Sequence, residues 1–109
     1  MIMAIDGQTQ TGIDAIALAV IDNVATAIKD LETGRAARVG ILENSRTVEI
    51  REEIPYGHKF ALKPIANGEE ILKYGEVIGR AVADISAGAH AHVHNIESLR
   101  GRGDLEKSR

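Results

Sequence analysis

The sequence predicts a mainly β domain with one short helix. Three observations point that way. There are 11 glycines and only 2 prolines among 109 residues, a balance that suits short strands joined by tight turns. An apolar residue is followed three positions later by glycine at Leu31/Gly34, Ile54/Gly57, Ile65/Gly68 and Ile85/Gly88. Alternation with a period of two, the mark of a strand, runs through Val48 and Ile50 and again through His90, His92 and His94.

Composition sets the bounds. The length suffices for one small domain. Apolar residues make up 44% of the chain and aromatics 3%, so the core must be built from Ile, Val, Leu and Ala. The net charge of -3 provides no basic footprint for nucleic acid and no basic face for a membrane. With no cysteine, disulfides, thiolate metal sites and cysteine nucleophiles are excluded. The first twenty residues carry Asp6 and Asp14 and lack a basic start, unlike a signal peptide. No run approaches the ~18 apolar residues of a membrane span. These features together suggest a cytoplasmic protein.

Residues 1–12 mix glycine and polar side chains and are expected to be disordered. The apolar run over residues 13–21 reads as a buried strand. Asp22-Asn23 then resembles a helix N-cap. Over residues 24–31, Val24, Ala27, Ile28 and Leu31 fall on one helical face, and Gly34 closes the helix. Residues 39–42 and 46–51 read as two strands around a turn at Glu43-Asn44-Ser45. The fourfold apolar-x-x-glycine unit follows Asp30, Glu53, Pro64 or Asp84 each time. It reads as a buried anchor, a tight turn and a glycine with positive φ. Two more strands are expected near residues 70–72 and 77–83, punctuated by Lys73-Tyr74-Gly75-Glu76. The domain is therefore placed at residues 13–97, with residues 98–109 as a mobile tail.

The most chemically pointed stretch is His90-Ala91-His92-Val93-His94-Asn95. On a strand, the three histidines would share one face while Ala91 and Val93 met a core. Imidazole is the commonest protein metal ligand and titrates near neutral pH. A histidine-rich solvated strand is the plain alternative.

A family resemblance rests on Gly57-His58-Lys59-Phe60-Ala61-Leu62, Ile65-Ala66-x-Gly68-Glu69, Lys73-Tyr74-Gly75, Ile78-Gly79-Arg80-Ala81, Asp84-Ile85-x-x-Gly88 and His92-Val93-His94-Asn95. Asp22-Asn23-Val24-Ala25-Thr26-Ala27 extends it upstream. In this order the motifs resemble the SAF domain, a β-clip module, of the altronate/galactarate dehydratase family. The resemblance spans roughly residues 14–97. It implies an SAF-type β-clip fold and a sugar-acid hydro-lyase in which the module precedes, or pairs with, a much larger dehydratase part. It also implies a divalent metal, iron(II), and a sugar-acid substrate such as altronate or galactarate.

Such a reaction removes the proton beside the carboxylate, expels the 3-hydroxyl and gives a 2-keto-3-deoxy acid. It needs a base, an acid and a cation. The resemblance points to His92 and His94 as catalytic and metal-binding residues, with His58 as a further catalytic candidate. Lys59 and Arg80 are the candidates for holding a substrate carboxylate. Lys73 reads as a solvated side chain and Asp84 as a turn cap. The expected partner is a large dehydratase subunit, with self-association as a further possibility. A non-catalytic docking module and the small subunit of a sulfolactate sulfo-lyase stand as alternatives.

Overall fold

A computed structural model describes residues 12–99. The two terminal segments, apart from residues 12, 98 and 99, lie outside the described residues. Two sheets share the chain. Ala15–Ala17 (β1), Val24–Ala27 (β2), Ala36–Ile41 (β3), Asn44–Glu49 (β4), Lys59–Ala61 (β5) and His90–Ala91 (β8) form a six-stranded sheet in the order β4-β3-β1-β2-β5-β8. Glu70–Lys73 (β6), Glu76–Ala81 (β7) and Ile96–Ser98 (β9) form a three-stranded sheet in the order β6-β7-β9. β1 pairs parallel to β3, and every other pairing is antiparallel.

The expected helix over residues 24–31 is not formed. Its first four residues are β2, paired with β1 on one side and β5 on the other. The burial follows a period of two. Ala25 and Ala27 enter one core with Leu31, Val39, Ile50, Ile54 and Phe60. Val24 enters a second core with Ala61, Ile65, Ile71, Ile85 and Ala91. A strand with a core on each face carries apolar residues at successive positions, here Val24, Ala25 and Ala27, with Thr26 half-buried. In so short a segment that pattern also satisfies helical spacing, which explains the misreading.

Nor is Asp22-Asn23 a helix cap. Both residues are buried and tie the sheets together. The Asp22 carboxylate accepts the N–H groups of Leu18, Ala19, Tyr74 and Gly75 at 3.1, 3.1, 2.9 and 2.8 Å. The Asn23 side chain donates to the Glu70 carbonyl at 2.9 Å and accepts the Leu72 N–H at 2.7 Å. The same short polar side chains that cap helices can satisfy any cluster of free N–H groups.

The two strands expected around residues 39–51 are present as β3 and β4. Their turn sits one position early, at Leu42-Glu43, and Leu42 takes a positive φ of 57°.

The fourfold repeat forms two matched pairs. Leu31 and Ile54 exchange backbone hydrogen bonds at 2.8 and 2.9 Å, and Ile65 and Ile85 do so at 2.8 Å in both directions. The four glycines and the two aspartates that flank the anchors fit one plan. The glycines at 34, 57, 68 and 88 have φ of 91, 86, 94 and 84°. The Asp30 carboxylate accepts the Tyr56 N–H, and the Asp84 carboxylate accepts the Asn67 N–H, each at 2.8 Å. Asp84 is thus the turn cap its position suggests.

Candidate functional site

The histidines gather where the six-stranded sheet ends. β5 and β8 run antiparallel, with Lys59 opposite Ala91 and Phe60 opposite His90. β8 is only two residues long, and the chain turns after Ala91. Val93 is therefore 81% exposed instead of facing a core, and the expected alternating strand holds only for His90 and Ala91. Asn95 imposes that turn. Its side chain donates to the His90 carbonyl at 2.8 Å and accepts the His92 N–H at 2.9 Å, while its backbone N–H donates to the His92 carbonyl at 3.0 Å.

The turn carries His92 back over β5. His58, just ahead of β5, meets His92 face to face, with ring centroids 4.2 Å apart and planes 15° apart. His58 meets His90 differently. Their Nδ1 and Nε2 atoms are 2.9 Å apart while the centroids are 5.1 Å apart. That centroid distance is about the N···N separation plus a ring radius at each end, so the rings meet end to end and share one proton. His94 stands outside this trio, its ring 5.5 Å from that of His90 and tilted by 46°.

One nitrogen from each of His58, His90 and His92 lies within 4.8 Å of the others. Burial first, and then the neighbouring imidazoles, hold His90 below the ordinary histidine pKa. For His92 the causes are burial, then His58, then Lys59. Both rings are thus neutral near pH 7, the state that binds metals and accepts protons. Three imidazoles suit zinc, copper, iron or nickel, so the donor set fits a divalent transition metal. To ligate one ion together, His58 and His90 would give up the proton they share.

Beside His92 lies a cavity of about 290 Å³ between the two sheets, lined by Lys59, Lys73, Ile78, Val93 and Ile96 among others. Alternation in β5 sends Phe60 into the first core and leaves Lys59 on the face of Ala61, toward the second core. Burial, and then the Lys73 ammonium, hold Lys59 below the ordinary lysine pKa. Arg80 does not line this cavity. It is exposed on β7 and registers against Glu70 on one side and Glu97 on the other, a cross-strand charge arrangement that stabilises sheets.

Residues 13–99 match the family model of the altronate/galactarate dehydratase SAF domain. The chain belongs to that family. An altronate dehydratase from Escherichia coli (strain K12) is 43% identical over 94 residues, which is 86% of this chain but 18% of that protein. The module therefore spans less than a fifth of that relative. The (2R)-sulfolactate sulfo-lyase subunit alpha from Chromohalobacter salexigens is 34% identical over 100 residues, covering 90% of this chain and 99% of that subunit. A galactarate dehydratase (L-threo-forming) from Escherichia coli (strain K12) is 43% identical over 70 residues, 62% of this chain and 12% of that protein.

Among the site candidates, the SAF fold brings His58 and His92 together. It adds His90, which sequence reasoning placed on the histidine face but not among the ligands. The turn built by Asn95 makes the difference. The lysine facing Lys59 across the cavity was likewise missed. Lys73 is the last residue of β6, and only the packing of one sheet on the other brings it near.

Proposed function

We propose that this SAF module is the small subunit of a hydro-lyase that converts a sugar acid of the altronate or galactarate type to a 2-keto-3-deoxy acid. A large dehydratase subunit would supply the rest of the site. The observation that carries this reading is the trio of clustered imidazoles beside a lysine-flanked cavity. In this assignment His58, His90 and His92 hold a divalent metal, iron(II) on the family resemblance. When bound, such an ion stabilises negative charge on a substrate oxygen. His94, exposed and one ring away, is placed to exchange protons with solvent. Lys59 holds a substrate carboxylate, and Asn95 keeps His90 and His92 in position.

The match along nearly the whole length of a sulfo-lyase α subunit favours a second reading, in which the partner expels sulfite from sulfolactate. That chemistry also starts from a 2-hydroxy acid and differs in the leaving group.

A keto-acid assay decides between them. The chain alone, and the chain with its candidate large subunit, would be given aldonic acids, aldaric acids and sulfolactate, each with iron(II). Product from a sugar acid, made only when both chains are present, is the expected result. Sulfite from sulfolactate alone would select the second reading. No product from any mixture would leave a docking module without catalysis. In the active complex, His92→Ala should lower turnover by ~10²-fold or more while the folded spectrum is kept. Unchanged turnover would remove His92 from the site.

A further inference from the structure

We infer that the cavity between Lys59 and Lys73 is an oxyanion subsite, which takes the carboxylate or sulfonate end of a small acid and directs its carbon chain at His92. The inference rests on the lyase reading above and names the part of that site that recognises charge.

The geometry is that of a built pocket at the joint of two sheets. Lys59 reaches it from β5, and Lys73 from the end of β6. Lys73 is steadied there by the Tyr74 ring, whose centroid is 4.8 Å from its Nζ. Tyr74 is in turn fixed by the bond from its N–H to the buried Asp22 carboxylate at 2.9 Å. Two like charges facing one small space repel each other, and the half-buried position of Lys59 lowers the screening that water provides. A shared anion turns that repulsion into attraction. Ile78, Ile96 and Val93 supply an apolar wall, so the cavity suits an acid with a short carbon chain better than a free inorganic ion. At about 290 Å³ it holds one end of a small metabolite and has no room for a polymer. His92 lines the same cavity. The carbons next to a bound carboxylate would therefore lie beside the imidazole cluster, where a proton must leave.

Lys73→Gln and Lys59→Gln test the idea in the reconstituted complex, with Lys63→Gln as an exposed control outside the cavity. Each cavity variant should raise KM for the acid by about 10- to 100-fold, the worth of one hydrogen bond to a charged group. For Lys73→Gln, kcat should stay within about twofold, because Lys73 binds without moving a proton. Unchanged KM in both variants would overturn the subsite and leave the lyase reading intact. If no complex is active, the lyase reading fails, and binding to the chain alone then decides. NMR titration with galactarate and with methanesulfonate should shift the resonances of Lys59, Lys73, His92 and Ile96, and the two lysine substitutions should abolish the shifts. Response to galactarate alone assigns a carboxylate site, and response to methanesulfonate alone a sulfonate site. No response to either probe in the wild-type chain would overturn the inference.

Discussion

Asp22→Ala should be among the most damaging single substitutions in this domain. The residue is 5% exposed, and its carboxylate accepts four backbone N–H groups. Two belong to the loop after β1 and two to the tip of the β6–β7 hairpin. The substitution therefore strands four donors at once and unpins the three-stranded sheet from the six-stranded one. Hydrogen bonds to a charged acceptor contribute roughly 1.5–3 kcal/mol each. They share one carboxylate and water can reach the loop, so their simple sum overstates the loss. A cost of about 3–5 kcal/mol follows, the usual range for a broken buried charge network. Domains of this size have only ~5–15 kcal/mol in total. Thermal unfolding followed by circular dichroism should show Tm lowered by roughly 15–30 °C. Asp22→Asn separates charge from geometry. Three of the four bonds end on Oδ2 and one on Oδ1. The amide can keep its oxygen toward the three and must then oppose Gly75 N–H with its NH₂, for a smaller loss of about 1–3 kcal/mol. An Asp22→Ala protein that melts within about 2 °C of wild type would refute the clamp.

Three further predictions concern pH, backbone and assembly. Burial pushes the Asp14 carboxyl up, but the Arg38 N–H, Arg35 and Lys29 outweigh it and hold the group below its ordinary value of 3.8. A carboxyl depressed in the folded state contributes stability that is present above its unfolded pKa and lost as pH falls through the folded one. Asp14→Asn should therefore lower stability at pH 7 and flatten its decline below about pH 4, as read from urea midpoints across pH. Gly88→Ala should cost about 3 kcal/mol or more, measured as soluble yield and Tm. Its φ is +84°, and a Cβ there would overlap the Glu49 carbonyl oxygen. Leu18, Val20 and Ile21 are 50%, 80% and 58% exposed on the loop that Asp22 holds. If the proposed large subunit docks on this loop, Val20→Asp with Ile21→Asp should weaken its binding by about tenfold or more in sedimentation or calorimetry, with the fold unchanged.

Much of this was legible in the sequence. The apolar-x-x-glycine unit foretold the four positive-φ turns, because each needs both a buried anchor and a residue free of a Cβ. What single residues could not reveal was that the units pair two by two, since that pairing joins positions about twenty residues apart. Asp22 and Asn23 were misread for a physical reason. A carboxylate before an apolar stretch serves a helix start and a stranded turn equally well, and only the later hairpin at Tyr74-Gly75 reveals which donors it meets. The histidine-rich stretch was read as a straight strand, and it is not one. Asn95 folds His92 back against His58, and a local side-chain bond of this kind leaves no periodicity to read.

The place of the imidazoles in the fold bears on the proposed partner. β8 is the last strand of its sheet and two residues long. The His90 backbone is already occupied, its N–H by the Glu52 carboxylate at 3.1 Å and its carbonyl by the Asn95 amide at 2.8 Å, so this end of the sheet offers its histidine side chains to whatever docks there. Dehydration needs a base, an acid and a cation around one substrate. The imidazole trio can hold the cation or move one proton, and the two lysines can hold the acid's charged end. In metal-bound form the trio would have spent its lone pairs on the ion, leaving His94 as the histidine still able to carry a proton. One imidazole open to solvent is a poor match for two proton transfers on opposite sides of a carbon–carbon bond. The missing group would then come from the proposed large subunit, facing the exposed His94 side chain. Mixing a His94→Ala module with wild-type large subunit is the sharpest check. A fall in kcat with metal content unchanged would separate proton transfer from metal binding, and loss of the metal would place His94 among its ligands instead.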